Sequence, residues 1–128
     1  MRGRAGFTLI ELLIVVVIIG LLAAIAIPKF GYTKQKAYTS TMKSDLHNLA
    51  TAEESYWTDN GVYYGGSVPT SQMIYSPSAN TTVTINIATS AGWSATATHL
   101  NTVVTCALYS GPVAPPSPAT VEGLIACQ

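Results

Sequence analysis

One acidic residue stands inside a long apolar segment near the N-terminus. Residues 7–27 read FTLIELLIVVVIIGLLAAIAI, and Glu11 is the single ionisable side chain among these 21 residues. A lone charge in hydrocarbon costs about 2.5–3.5 kcal/mol at mid-helix, and such a residue marks a functional site by default. Glu11 therefore either reaches the membrane interface on its own or pairs with a cation from another chain.

The residues before this segment suit proteolytic cleavage. The basic stretch MRGRAG ends at Gly6, and cleavage after Gly6 would create a free amine at Phe7. That amine would lie about one helical turn before Glu11. In two staggered helices, the Phe7 amine of one chain would meet the Glu11 carboxylate of the next, and each would compensate the other's charge. A second cleavage pattern, Ala24-Ile25-Ala26, has the outline of a secretory signal peptide.

The two cysteines, Cys106 and Cys127, enclose a proline-rich stretch at residues 111–118. They either form a disulfide, which would stabilise the fold by about 3 kcal/mol, or remain as two buried thiols. Their place in the C-terminal part favours an oxidising compartment for that part of the chain.

In the C-terminal part of the chain, hydroxyl groups rather than charged groups make most of the polar contacts with water. Glu122 is the sole formally charged residue of residues 61–128, and Ser and Thr are frequent over residues 67–105. These hydroxyls either line a polar sheet face and its loops or carry O-linked glycans. Asn80 begins an N-x-[ST] sequon, which predicts a further glycosylation site.

No constellation of residues predicts catalysis. The two histidines are distant in sequence, and no Ser/His/Asp or Cys/His pattern, phosphate loop or calcium-binding carboxylate cluster is present. We therefore expect no enzyme, no cofactor and no metal site. Six basic and six acidic residues give zero net charge, which argues against direct nucleic-acid binding.

Residues 7–28 predict a membrane-spanning helix. The apolar run of 21 residues would extend about 31 Å as a helix, which matches a bilayer core. Its apolar side chains surround the helix, which excludes a surface amphipathic helix. Gly20 should loosen this segment, and Pro28 should kink or interrupt it near residues 24–28.

Residues 29–60 predict an amphipathic helix. Asp59, Asn60 and Gly61 form its stop signal. Charged residues, including Asp45, Glu53 and Glu54, are expected mostly off the apolar face. The residues expected on that face recur at spacings of 3 and 4: Tyr38, Met42, Leu46, Leu49, Ala52 and Tyr56.

Residues 61–128 predict a loop followed by an antiparallel sheet of about four strands. Alternating apolar and polar residues indicate the first two strands. The turn between them is expected at residues 89–92, where Gly92 is free to take a positive φ. The expected strands are 83–87, 93–98, 103–109 and, more weakly, 121–127, with one short strand at 73–75 in the loop.

The sequence G-F-T-L-I-E, followed by an aliphatic run, resembles the class III signal of type IV pilins and pseudopilins. This resemblance places cleavage between Gly6 and Phe7, N-methylation on Phe7 and the characteristic acid at Glu11. Gly20 and Pro28 resemble helix-loosening positions of the family. The segment between the cysteines resembles the disulfide-bounded C-terminal region of many type IV pilins.

The resemblance implies an α+β fold in which a long N-terminal helix packs on a C-terminal antiparallel sheet. It also implies a structural subunit of a type IV pilus. The precursor would sit in the inner membrane, surrounded by lipid, where prepilin peptidase would remove its leader at residues 1–6. An inner-membrane assembly platform would then polymerise identical subunits into an extracellular helical filament.

Two alternatives to a pilus subunit remain. A type II secretion pseudopilin has the same N-terminal signal, although the C-terminal calcium site expected of its major form is missing from this sequence. A secreted soluble binding domain would instead begin after cleavage at Ala26.

Overall fold

The computed structural model describes residue 3 and residues 6–128, so most of the predicted leader at 1–6 lies outside the described residues. The described residues form α1 (Leu9–Asn60), β1 (Thr81–Ala88), β2 (Trp93–His99), β3 (Thr105–Ser110) and β4 (Ala126–Cys127). Helix α1 packs on the antiparallel sheet, which confirms the predicted α+β fold. The chain divides into two compact units, the N-terminal unit (Met1–Lys34) and the sheet unit (Gln35–Gln128).

Helix α1 continues through Pro28, so the predicted interruption near residues 24–28 does not occur. A proline inside a helix removes one backbone donor and its hydrogen bond. The helical hydrogen bonds on either side of Pro28 are sufficient to keep the segment in one helix.

The apolar face predicted for the second half of α1 contributes to the core of the sheet unit. Met42, Leu46 and Leu49 are fully buried, and Ala52 and Tyr56 pack partly buried against the same core. The helix ends at Asn60 as predicted. Gly61 then takes the left-handed conformation with φ 71° and donates its N–H to the carbonyl of Trp57 at 2.7 Å.

The four strands form one antiparallel sheet in the order β1-β2-β3-β4. Strand β2 is central, and its Trp93, Ala95 and Ala97 are buried. They share a core with Val83 of β1, Cys106 and Leu108 of β3 and the apolar face of α1. The apolar residues that alternate along β2 therefore lie in the core, as predicted.

Strand β4 contains two residues rather than the seven predicted. Before Ala126 the chain forms turns instead of a ladder, because Leu124 donates its N–H to Val121 and Gly123 donates to Tyr109. Strand β3 begins at Thr105 rather than at residue 103. The short strand predicted at 73–75 is reduced to isolated bridges with Thr70.

The β1–β2 turn lies where it was expected, but Gly92 does not adopt the positive φ that was open to it. The left-handed glycine in this region is Gly111, at φ 82°. Gly92 is needed for close approach instead, since a Cβ there would lie 2.5 Å from the carbonyl oxygen of Ser110. The hydroxyl of Thr89 organises the turn by accepting the N–H groups of Ala91 and Gly92.

Two acidic residues of α1 are buried, although both were expected mostly off the core face. Asp45 is 3% exposed, and its carboxylate accepts the N–H and the hydroxyl of Ser78 at 3.1 and 2.8 Å. Glu53 is fully buried and accepts the N–H of Tyr64 at 2.8 Å. The loop at 61–80 covers the apolar stripe of α1 and also part of the helix surface beside that stripe. It supplies the hydrogen-bond partners of both carboxylates.

Candidate functional site

A reciprocal capping motif closes the N-terminus of α1. The N–H and hydroxyl of Thr8 donate to Oε2 of Glu11 at 2.9 and 2.7 Å, and the N–H of Glu11 donates to Oγ1 of Thr8 at 3.3 Å. Such a capping box provides partners for backbone N–H groups that a helix start leaves unpaired. The pattern T-x-x-E at residues 8–11 is its sequence signal, and it adds a role to the charge pairing predicted for Glu11.

The capping box also fixes the direction of the Glu11 carboxylate. Both bonds from Thr8 end on Oε2, and the residue is exposed. A carboxylate held in this way has a fixed orientation, which the predicted pairing with a cation of another chain would require.

The Gly6–Phe7 bond lies outside the helix. Helix α1 begins at Leu9, Gly6 is exposed, and the Phe7 side chain is 84% exposed. A protease can reach this peptide bond without unwinding a helical turn. The other predicted features of the leader, Arg2 and Arg4, lie outside the described residues.

The apolar surface between Phe7 and Ile27 is uncovered within the chain. Helix α1 contains a strongly apolar 18-residue window that is long enough to cross a membrane, and none of this window is buried. Its aliphatic side chains are exposed on every side, from Leu9 to Ile27. Such a surface requires lipid or other apolar helices as its environment.

Among the described residues, none packs closely against Gly20. A Cβ at this position would have nothing within 4 Å. Pro28 lies inside a helix that continues on both sides of it. The loosening of α1 at these two positions stays a prediction.

A disulfide joins Cys106 of β3 to Cys127 of β4, with an S–S distance of 2.04 Å. The predicted bridge is thus present, and the alternative of two free thiols is wrong. The neighbouring residues Thr105 and Gln128 exchange both backbone hydrogen bonds, at 2.8 and 3.0 Å. The disulfide and this pair together close the C-terminal segment into a loop at its base.

Glu122, the sole formal charge of residues 61–128, organises this C-terminal loop. Its Oε1 accepts the N–H of Gly111 at 2.6 Å. The N–H of Gly123 donates to the carbonyl of Tyr109 at 2.9 Å. Within residues 3 and 6–128, no group of three or more His, Cys, Asp or Glu side chains is arranged to hold a metal ion.

The candidate glycosylation sites differ in accessibility. Asn80 is exposed and adopts a left-handed conformation with φ 62°. Within residues 67–105, Thr81 and Ser94 are 8% and 0% exposed, so they are closed to a modifying enzyme in the folded chain. Exposed hydroxyls, such as that of Thr98, remain candidates.

Comparison with known proteins connects the N-terminal features to two groups of bacterial proteins. Residues 1–27 match the prokaryotic N-terminal methylation motif. The type IV major pilin protein PilA of Myxococcus xanthus (strain DK1622) is 50% identical over 62 residues, which are 48% of this chain and 28% of that protein.

Two further relatives represent both groups. A fimbrial protein of Pseudomonas aeruginosa is 54% identical over 56 residues, covering 43% of this chain and 36% of the relative. The type II secretion system core protein G of Pseudomonas aeruginosa is 34% identical over 79 residues, covering 62% of this chain and 56% of the relative. The chain thus spans between about a quarter and somewhat over half of each of these relatives.

Proposed function

We propose that this chain is the structural subunit of a type IV pilus. The observation that carries the proposal is the uncovered apolar half of α1, which has a capped, exposed Glu11 in its first turn and an exposed Phe7 before it. The match of residues 1–27 to the N-terminal methylation motif supports processing at this bond. It also favours cleavage after Gly6 over cleavage after Ala26.

The proposed route has a membrane stage and a filament stage. Prepilin peptidase removes residues 1–6 and methylates the new amine of Phe7. Lipid surrounds the apolar half of α1 in the inner membrane until an assembly platform transfers the subunit to the filament. Neighbouring α1 helices then replace lipid around side chains such as Ile10 and Ile27, which are 64% and 72% exposed in the single chain.

Charge pairing sets the register between neighbouring subunits in this proposal. The Phe7 amine of one subunit meets the Glu11 carboxylate of the next inside an apolar bundle. The capping bonds from Thr8 hold that carboxylate in place before the partner arrives. An amine without its partner is strongly unfavourable in such an environment, so an incorrect register is disfavoured.

A type II secretion pseudopilin is the second candidate, since core protein G shares 34% identity over 79 residues. Both candidates predict the same processed N-terminus. They differ in the product, because a pilus subunit forms long surface filaments at native expression and a pseudopilin forms a short periplasmic assembly. Electron microscopy of the native cells distinguishes them.

Intact mass and N-terminal sequencing of the protein from its native envelope test the processing step. We expect a chain that begins at N-methyl-Phe7 and lacks the two hydrogens lost in disulfide formation. Additional mass would indicate glycans, for which Asn80 and the exposed hydroxyls of residues 67–105 are the candidate sites. A chain that begins at Ile27 would contradict the proposal and indicate a secreted soluble domain.

Substitutions at the capping box separate charge pairing from helix capping. Glutamine also serves as the third residue of a capping box, so Glu11→Gln preserves the cap and removes the charge. Thr8→Ala removes the cap and preserves the charge. We expect Glu11→Gln to lower the filament yield at least about tenfold, because it leaves a buried amine unpaired, and Thr8→Ala to lower it less.

Membrane fractionation and N-terminal mass serve as controls for this experiment. Both variants should insert into the membrane and lose the leader, since the aliphatic run after Glu11 and the Gly6–Phe7 bond are unchanged. Filament yield equal to that of the unmodified protein in Glu11→Gln would show that the carboxylate acts through capping alone. That result would remove charge pairing from the proposed mechanism.

A further inference from the structure

A buried carboxylate joins α1 to the segment that follows it. Glu53 is fully buried, and its Oε2 accepts the N–H of Tyr64 at 2.8 Å. Among the described residues, its Oε1 is buried and has no hydrogen-bond partner. One carboxylate oxygen therefore holds the segment 61–66, while the other is desolvated without compensation, which is costly for the charged form.

The chain beyond Lys43 provides no Lys or Arg to compensate an ionised Glu53. The last Lys or Arg of the chain is Lys43, and residues 44–128 contain five acidic residues and no basic side chain except histidine. The strands of the sheet contain no Asp, Glu, Lys or Arg. Their one histidine, His99, stacks on Tyr38 with a centroid distance of 4.4 Å, and His47 of α1 is exposed.

The titratable groups beside Glu53 favour its neutral form. Burial raises the pKa of Glu53 from 4.5 to about 7; the Tyr64 N–H opposes this rise, and the negative charge of Glu54 adds to it. From the following segment, the hydroxyl of Tyr63 faces the same acidic pair and donates to Oε1 of Glu54 at 3.0 Å. None of these neighbours can supply a positive charge.

Aromatic contacts depend on the position of the segment that Glu53 holds. Tyr64 packs edge-on against Tyr56 with a centroid distance of 5.4 Å, and Tyr63 stacks on Trp57 at 6.2 Å. The indole of Trp57 donates to the carbonyl of Ser90 at 2.9 Å. This aromatic cluster (Tyr56, Trp57, Tyr63 and Tyr64) lies where α1 ends, and its geometry is sensitive to the hydrogen bond at Tyr64.

We propose that Glu53 is a pH-operated latch that holds the segment 61–66 on α1 when protonated and releases it when ionised. In the neutral form, Oε2 accepts the Tyr64 N–H without a charge in the interior. In the ionised form, the carboxylate gains more from hydration than from one hydrogen bond, so the side chain turns toward water. Release of Tyr64 then opens the aromatic cluster. This latch is independent of filament assembly, since all its parts belong to the sheet unit.

Stability should follow pH with a defined sign. The folded chain holds the Glu53 proton more tightly than the unfolded chain, so its contribution is complete below pH 4.5. The contribution is lost as pH rises from 4.5 to about 7, and the loss is complete above that pH. Local release of Tyr64 also hydrates the Glu53 carboxylate, so the protection of the Tyr64 amide should fall over the same pH range.

The test uses the full-length chain in detergent micelles between pH 5 and pH 8.5. Thermal unfolding is followed by circular dichroism, and the exchange protection of the Tyr64 amide is measured relative to the intrinsic exchange rate of an unstructured peptide at each pH. We expect the unfolding midpoint to fall with rising pH and the relative protection of Tyr64 to fall on the order of tenfold, which corresponds to about one pKa unit of coupling. Both changes should be absent in Glu53→Gln, which keeps an acceptor for the Tyr64 N–H.

Glu54→Gln is the matched control, because it removes the neighbouring exposed carboxylate and leaves Glu53 intact. We expect this variant to retain a pH dependence of similar size that is displaced to lower pH, because the Glu54 charge that adds to the rise of the Glu53 pKa is gone. The latch is refuted if the relative protection of Tyr64 in the unmodified protein is independent of pH, a measurement that needs no variant to fold. It is also refuted if Glu53→Gln retains the full pH dependence or if Glu54→Gln abolishes it.

Discussion

The sheet unit buries its own apolar residues, whereas the N-terminal unit leaves most of its apolar residues exposed. In the sheet unit, Trp93, Leu46 and Leu49 are buried by strands and helix of the same chain. In the N-terminal unit, apolar side chains such as Ile14 and Leu22 are 53% and 64% exposed. The sheet unit has the core of an ordinary domain, whereas the N-terminal unit becomes buried only in lipid or among other helices. Substitutions in the sheet unit should therefore change folding, and substitutions in the N-terminal unit should change assembly.

The largest effect is expected for Trp93→Ala, which tests whether the sheet unit depends on its own core. Trp93 is 1% exposed, and removing a buried aromatic side chain costs about 3–5 kcal/mol. Chemical denaturation of the full-length chain in micelles measures this loss. Trp57→Ala is the matched control, because Trp57 is 41% exposed, and it should cost clearly less. Equal losses would contradict the assignment of Trp93 to the core.

An intermediate effect is expected when Cys106 and Cys127 are both replaced by serine. Opening the bridge, whose cysteines are 21 residues apart, should lower the free energy of unfolding by about 3 kcal/mol. Reduction of the unmodified protein provides an independent control. Membrane insertion of the N-terminal unit should be unaffected, and its loss would break the separation between the two units.

The smallest effect is expected at Glu122. Glu122→Ala removes the carboxylate that accepts the N–H of Gly111, and the loss of one exposed hydrogen bond should cost about 0.5–1 kcal/mol. Glu122→Gln keeps an amide oxygen at the same position and should cost less. Hydrogen exchange at Gly111 resolves this difference even where the unfolding midpoint does not. Slower exchange at Gly111 in Glu122→Ala than in the unmodified chain would contradict the role of this contact.

Periodic features of the fold could be predicted from sequence, and contacts made by irregular segments could not. The apolar stripe from Met42 to Leu49 and the alternation in β2 report which face is buried, because helix and strand periods are fixed by geometry. The burial of Glu53 depends on Tyr64, which follows α1 in a loop without any period. The periodicity of α1 therefore predicts that its charged residues face solvent, even where a loop covers them in the structure.

In the candidate site, features that depend on residues close in sequence could be predicted, and features that depend on residues distant in sequence could not. The capping box is local, since Thr8 and Glu11 are three residues apart, and its pattern was present in the sequence. The reduction of β4 to Ala126–Cys127 is long-range, because it depends on where the returning chain meets β3. The close approach of Gly92 to Ser110 joins two turns, and no property of the β1–β2 turn alone indicates it.

The base of the C-terminal loop has a consequence for redesign of this protein. Cys106–Cys127 and the paired backbones of Thr105 and Gln128 hold the two ends of the loop together. Ala114 and Pro115 are exposed between these ends, and doubling the length of a flexible loop costs only about 0.6 kcal/mol. A foreign peptide inserted between Ala114 and Pro115 would be displayed on the protein surface while the sheet beneath it keeps its register.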